Sequence, residues 1–159
     1  MYPDVRVAES DADREAALAV RRDVFVEEQG VSEEVEMDGK DDEAVHFVAT
    51  DGDDPVGAAR LREVEPGVGK VERVAVVADR RDSGIGRELI CTLETTAAER
   101  GIDRLVMHAQ THVEEFYRRL GYGTTSDVFE EVRGRATGAL SARRSRPHPA
   151  PPWRESRSP

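Results

Sequence analysis

A single junction constrains this chain more than any other feature. An alternating run, Lys70-Val71-Glu72-Arg73-Val74-Ala75-Val76-Val77, gives way to the polar loop Ala78-Asp79-Arg80-Arg81-Asp82-Ser83-Gly84-Ile85-Gly86. Directly behind it, apolar residues recur at Ile85, Leu89, Ile90, Leu93 and Ala97. Alternation reads as a strand, and recurrence at three and four reads as one face of a helix. Residues 70–77 are therefore predicted as strand and residues 85–100 as helix, stopped by Gly101. Two glycines at a strand-to-helix turn let backbone approach a ligand closely. The unpaired N–H groups and dipole at the helix start favour an anion there, and Arg81 and Arg87 flank the turn with positive charge. The junction reads as a pyrophosphate cradle; the plainer alternative is a tight turn that needs glycine for its own geometry. A P-loop is excluded because no Gly-Lys-Ser/Thr follows, and a dinucleotide fingerprint fails at Leu89, where a third glycine is required.

Around the junction the pattern continues. Val5 to Ala8 alternates as a strand, and Ser10-Asp11-Ala12-Asp13 resembles a helix-capping box with a short acid. Residues 11–29 then carry a helical stripe at Ala17, Val20 and Val24, stopped at Gly30. Residues 31–43 are acidic and irregular. Two predicted strands, 44–50 and 55–64, flank the turn Asp51-Gly52-Asp53-Asp54, and Pro66-Gly67-Val68-Gly69 turns into the strand at 70–77. A strand at 104–108, a helix at 111–120 with Val113, Phe116, Tyr117 and Leu120 on one face, and a strand at 124–131 complete the order β-α-β-β-β-α-β-α-β. That order predicts one α/β domain, an α+β mixed sheet with helices on both faces.

Composition narrows the function classes. The 159 residues suit one domain, and the net charge of −10 disfavours nucleic acid and anionic membrane as partners. No run of about 18 apolar residues marks a membrane span, and the N-terminus lacks the basic-then-apolar pattern of a secretory signal, so the expected location is the cytoplasm. Only two lysines occur, Lys40 and Lys70, and the acidic bias resembles that of proteins from salt-loving microbes. The one cysteine, Cys91, falls on the apolar helix as a small core residue, and no metal-type Cys/His cluster is present, so no metal is expected. From residue 132 onward, seven arginines face one acid, Glu155, and five of the eight prolines gather. Residues 132–159 are expected to be a disordered basic tail, carrying +6 against −16 on the remainder.

Three segments resemble a known family. Arg81-Asp82-Ser83-Gly84-Ile85-Gly86 matches the R/Q-x-x-G-x-G/A signature of the GNAT superfamily of N-acetyltransferases. Val71 to Val76 looks like its central strand, and Phe116-Tyr117-Arg118-Arg119-Leu120-Gly121-Tyr122 like its F-Y-x-x-x-G-F/Y segment. Residues 22–29, Met37-Asp38-Gly39-Lys40-Asp41, His46 and Ala109-Gln110-Thr111-His112 resemble the ElaA-like subgroup. The resemblance covers residues 5–131 and stops where ElaA-like chains carry a closing strand, E-x-x-G-I-P-H-x-x-M, which this chain replaces with Val132 to Leu140.

The resemblance implies a GNAT-like acyl-CoA N-acyltransferase fold and acetyl-CoA as acyl donor. It places the pyrophosphate on Arg81, Asp82, Ser83, Gly84, Ile85 and Gly86, with Arg87 beside them, and the pantetheine arm along Val74, Ala75 and Val76. It also implies two strands splayed apart to admit the thioester, and direct attack by a primary amine without a covalent enzyme intermediate, which leaves Cys91 with no role. A free alkyl ammonium has a pKa near 10, so a base or a water chain must take its proton. Glu72 is the first candidate base, ahead of His108 and His112, with His46 structural or on the substrate side. Tyr117 is the candidate acid for the leaving thiolate, and a strand amide of Val74 or Ala75 for the oxyanion. The acceptor is a small-molecule or protein amine, and a homodimer is an assembly the family allows. An alternative is a non-catalytic acyl-CoA-binding regulatory domain.

Overall fold

The computed structural model describes residues 3–37, 39–81, 83–110, 114–124, 129–131 and 135–143. A short strand, β1 (Asp4–Val7), leads into α1 (Asp11–Arg21), whose first turn is closed by Ser10: its hydroxyl accepts from the Asp13 amide at 3.1 Å. This is the predicted cap, with Asp11 and Asp13 at the positive end of the helix dipole. The helix then widens into a π-helical turn over Arg22–Glu28, where Gln29 N–H reaches back to the Val24 carbonyl at 3.0 Å. The acidic stretch behind it contains a short helix, α2 (Glu33–Glu36), and a 3₁₀ turn at Asp41–Glu43.

Strands β2 (Val45–Asp51), β3 (Asp54–Glu65) and β4 (Val68–Val76) form the predicted meander. Helix α3 (Ile85–Glu99), strand β5 (Arg104–Gln110), helix α4 (Glu114–Arg119) and strands β6 (Gly123–Thr124), β7 (Phe129–Glu131) and β8 (Arg135–Arg143) follow. The sheet runs β1-β2-β3-β4-β5-β8-β6, with β7 on β8. Among these pairs only β4 and β5 lie parallel.

Two cores flank the sheet, as the alternation requires. On one face Phe47, Ala49, Ala59, Leu61 and Val71 pack under α3 through Ile85, Leu89, Ile90 and Leu93, joined by Tyr117 and Tyr122. On the other, Val48, Ala58 and Ala75 pack under α1 through Ala17, Val20 and Val24. Gly57 allows α3 to dock this closely: a Cβ there would stand 2.9 Å from Ile85 Cγ2. Cys91 is buried on α3, consistent with a core thiol.

One boundary differs from the sequence expectation. Residues Arg135–Arg143 fall inside the segment read as a disordered tail, yet they form strand β8, paired antiparallel to β5 from Arg104↔Arg143 to Gln110↔Thr137. The pairing meets a need the composition does not display. Without β8, the outer edge of β5 would leave its backbone groups open. Small residues at 136, 138, 139, 141 and 142 carry little strand signal of their own. The ordered sheet therefore extends past residue 131.

Candidate active site

The site begins where β4 leaves β5. Their parallel ladder consists of Val68↔Arg104, Gly69↔Leu105 and Lys70↔Val106, and it ends there. From Val71 to Val76, β4 has no ladder partner on that side among the described residues, while Met107 to Gln110 continue only with β8. Just past the divergence β4 carries a bulge. Arg60 faces Glu72 and Ala58 faces Ala75, so three steps on β4 match two on β3. Arg73 occupies the bulge with φ at 55°, the one non-glycine residue at positive φ among those described. The result is a cleft between two strands, with a backbone edge on β4 open to a ligand.

At the end of β4 the chain turns through a 3₁₀ turn, Ala78–Arg80, to Gly84 at the N-cap of α3, with φ at 89°. That φ is the left-handed region, which explains the glycine. A Cβ at Gly84 would meet nothing within 4 Å; the residue lies on open surface, over the unpaired amides of the first turn of α3. The Ser83 hydroxyl donates to the Arg80 carbonyl and braces the loop. Gly86 sits beside α4: a Cβ there would lie 3.4 Å from Phe116 and 3.9 Å from Val76. The end of β4, the glycine loop and the Phe116-Tyr117 segment thus converge at one mouth of the cleft.

The predicted residues divide by role. Ser83, Gly84 and Arg87 are exposed, and Gly86 is half-buried. Ile85 can offer only its amide, because its side chain is buried in the core. Val74 and Val76 lean on the α3-side core, while Ala75 is buried on the α1 side. Asp82 and His112 lie outside the described residues, and so does the side chain of His108. Arg81 is engaged elsewhere: it forms two hydrogen bonds to Glu28, at 2.6 and 2.7 Å, and donates from Nε to the Val76 carbonyl at 2.9 Å. That bonding raises the Arg81 pKa above its ordinary value and lowers that of Glu28.

The two candidates for proton transfer sit on opposite faces of the sheet. Tyr117 is 8 % exposed in the α3-side core, edge-on to Phe116 at 4.9 Å and to Tyr122 at 6.0 Å. Burial raises its pKa, so the phenol stays protonated. Glu72 lies on the α1 side, held by Arg60 at 3.0 Å, Arg62 at 3.1 Å and Lys70 at 3.6 Å. Burial pushes its carboxyl up, but the Arg62 hydrogen bond and the charges of Arg60, Lys70 and Arg62 outweigh that and hold it below the usual range. A carboxylate so stabilised is a weak proton acceptor. The Nε2–H of His46, a buried residue, donates to the Asp41 carbonyl at 2.9 Å, an architectural role.

Sequence reasoning missed the ion network around Glu72. The side chains of Arg21 and Arg60 are fully buried, and both bond Asp41, at 2.8 and 3.0 Å. A signal was present: Arg21 continues the Ala17-Val20-Val24 stripe, and Arg60 interrupts the apolar run from Val56 to Leu61. A charge at a core position demands a partner.

Comparison with known proteins agrees with this architecture. Residues 9–137 match the family model described as Acetyltransferase (GNAT) domain. The chain is 38 % identical over 121 residues to the uncharacterized N-acetyltransferase YjcF of Bacillus subtilis, covering 76 % of this chain and 86 % of that protein. It is 30 % identical over 122 residues to protein ElaA of Escherichia coli, covering 73 % and 78 %. Among solved structures, a putative N-acetyltransferase from Lactobacillus plantarum superposes with a TM-score of 0.83 at 31 % identity, over 90 % of this chain and 99 % of that one. An aminoglycoside 6'-N-acetyltransferase complexed with coenzyme A shares the fold at a TM-score of 0.74 and 16 % identity, over 93 % and 99 %. The chain belongs to the GNAT family and is an acetyltransferase. No helix among the described residues is long and apolar enough to cross a membrane.

Proposed function

We propose that the chain transfers an acetyl group from acetyl-CoA to a primary amine by direct attack on the thioester. One observation carries this: the β4 edge freed from β5 runs straight into an open glycine N-cap on a fifteen-residue helix. A pantetheine arm can hydrogen-bond along such an edge as an added strand would, and a pyrophosphate can seat on the amides of residues 81–86. The relative crystallised with coenzyme A supports the same ligand class. Within this reading, Tyr117 donates a proton to the leaving thiolate. An amide N–H of the bulge, Val74 or Ala75, donates a hydrogen bond to the oxygen on which negative charge develops. The amine loses its proton through water, with Glu72 fixing the local charge rather than serving as a strong base. The acceptor is a small molecule or a protein amine. The ElaA-like segments and the acidic composition support an ElaA-like enzyme of the cytoplasm working at high salt.

The test is calorimetric titration of acetyl-CoA into the purified chain and into Gly84→Glu, followed by a thiol-release assay with an amine panel. Micromolar binding lost in the variant, with amine-dependent thiol release, is the expected result. Binding without thiol release for any amine would replace the reading with a non-catalytic acyl-CoA receptor. No binding by folded wild-type protein would remove it.

A further inference from the structure

Six charged side chains form a closed ring that begins and ends on adjacent residues of β4. Arg73 reaches Glu36 with Nε 2.7 Å from Oε2, and its Nη2 donates to the Glu36 carbonyl at 3.2 Å. Glu36 pairs with Arg21 at 3.0 Å, and Arg21 with Asp41 at 2.8 Å. Asp41 pairs with Arg60 and Arg60 with Glu72, each at 3.0 Å. The peptide bond between Glu72 and Arg73 closes the circuit. Its members come from α1, α2, the 3₁₀ turn, β3 and β4, so the acidic stretch 31–43 is tied directly to the bulge. The Arg21, Arg60 and Glu36 side chains are 0 %, 0 % and 2 % exposed.

One member of the ring is a strained residue. Arg73 has a Cβ and yet holds φ at 55°, which side chains other than glycine disfavour. Strain of this kind persists only where neighbouring contacts over-determine it. One such contact here is the Arg73–Glu36 pair, and the strained residue stands three positions past Lys70, where the β4–β5 ladder ends. We propose that Arg73 and Glu36 are positioning residues for the acyl-transfer cleft: their ion pair holds the β4 bulge in its left-handed turn and so fixes the Val74–Val76 edge relative to β5. This rests on the reading of β4 as the cofactor strand. It also makes the acidic stretch and the cofactor strand one mechanical unit, so order in one is order in the other.

The experiment compares Arg73→Ala with Arg73→Gly. Both delete the ion pair, but only glycine accepts the left-handed backbone without it. Two readouts are taken on variants whose far-UV spectra match wild type. The first is acetyl-CoA affinity by calorimetry. Arg73→Ala is expected to bind about tenfold more weakly, and Arg73→Gly within roughly threefold of wild type. The second is amide hydrogen exchange in the unliganded protein, which needs no ligand. The amides of Val74 to Val76 exchange faster in Arg73→Ala and near the wild-type rate in Arg73→Gly. Equal affinity and exchange in all three proteins overturns the proposal. Equal loss in both variants also overturns it, since the side chain would then act on the ligand or on general stability rather than through the bulge. If folded wild-type protein fails to bind acetyl-CoA, the proposed function falls, and the exchange comparison still decides what holds the bulge.

Discussion

At the scale of single residues, Gly84 and Tyr117 carry the clearest consequences. Gly84 combines a φ of 89° with open space, so alanine there meets no clash and pays only backbone strain. Gly84→Ala is expected to lower unfolding free energy by roughly 1–2 kcal/mol in denaturant melts, the usual excess of a left-handed residue bearing a Cβ. Tyr117→Phe keeps the ring contacts with Phe116 and Tyr122 and deletes only the hydroxyl. If the phenol protonates the thiolate, kcat in the thiol-release assay falls about a hundredfold while acetyl-CoA affinity holds; an unchanged kcat would return Tyr117 to a packing role. The glycine was legible in the sequence because its spacing and its place before a helical stripe both follow from local rules. The locked state of Glu72 was not, because Arg60 and Arg62 approach it from a neighbouring strand, and strand pairing is non-local information.

Among elements, the π-helical turn after α1 and the loop before α3 are coupled by the Arg81–Glu28 pair. The two side chains are each 40 % exposed, so the pair is worth little to stability. It matters more as competition: Glu28 occupies the guanidinium that the resemblance assigns to phosphate. Glu28→Gln is expected to tighten acetyl-CoA binding severalfold at low salt, with the gain shrinking as salt screens the loop. Weaker binding in titrations of that variant would show that the pair holds the loop in shape. The elements themselves were largely readable. Ser10 was seen as a cap, the 85–100 stripe as α3, and the meander by its turns. Strand β8 escaped because its residues are small and its place is dictated by the open edge of β5 rather than by its own pattern.

For the molecule as a whole, charge governs the response to acid. Asp13, Asp41 and Glu72 all have pKa values held below their ordinary ones, in the folded state, by arginine partners. Groups with depressed folded values contribute stability above their unfolded pKa and lose it as pH falls through the folded pKa. The ordinary values are 3.8 for Asp and 4.5 for Glu. Urea midpoints are therefore expected to stay level between pH 7 and about 5 and to drop steadily below about 4.5. A midpoint that rises on acidification would contradict the pairing of these carboxylates. The sheet raises a different question, that of where the molecule would tear. Among the described residues, three rungs, Val68 to Lys70 against Arg104 to Val106, make up the ladder between the four-stranded half and the half built on β5 and β8. A thioester ligand lying in the gap would act as a stitch across that seam, so acetyl-CoA is expected to protect β5 and β8 against heat as well as β4.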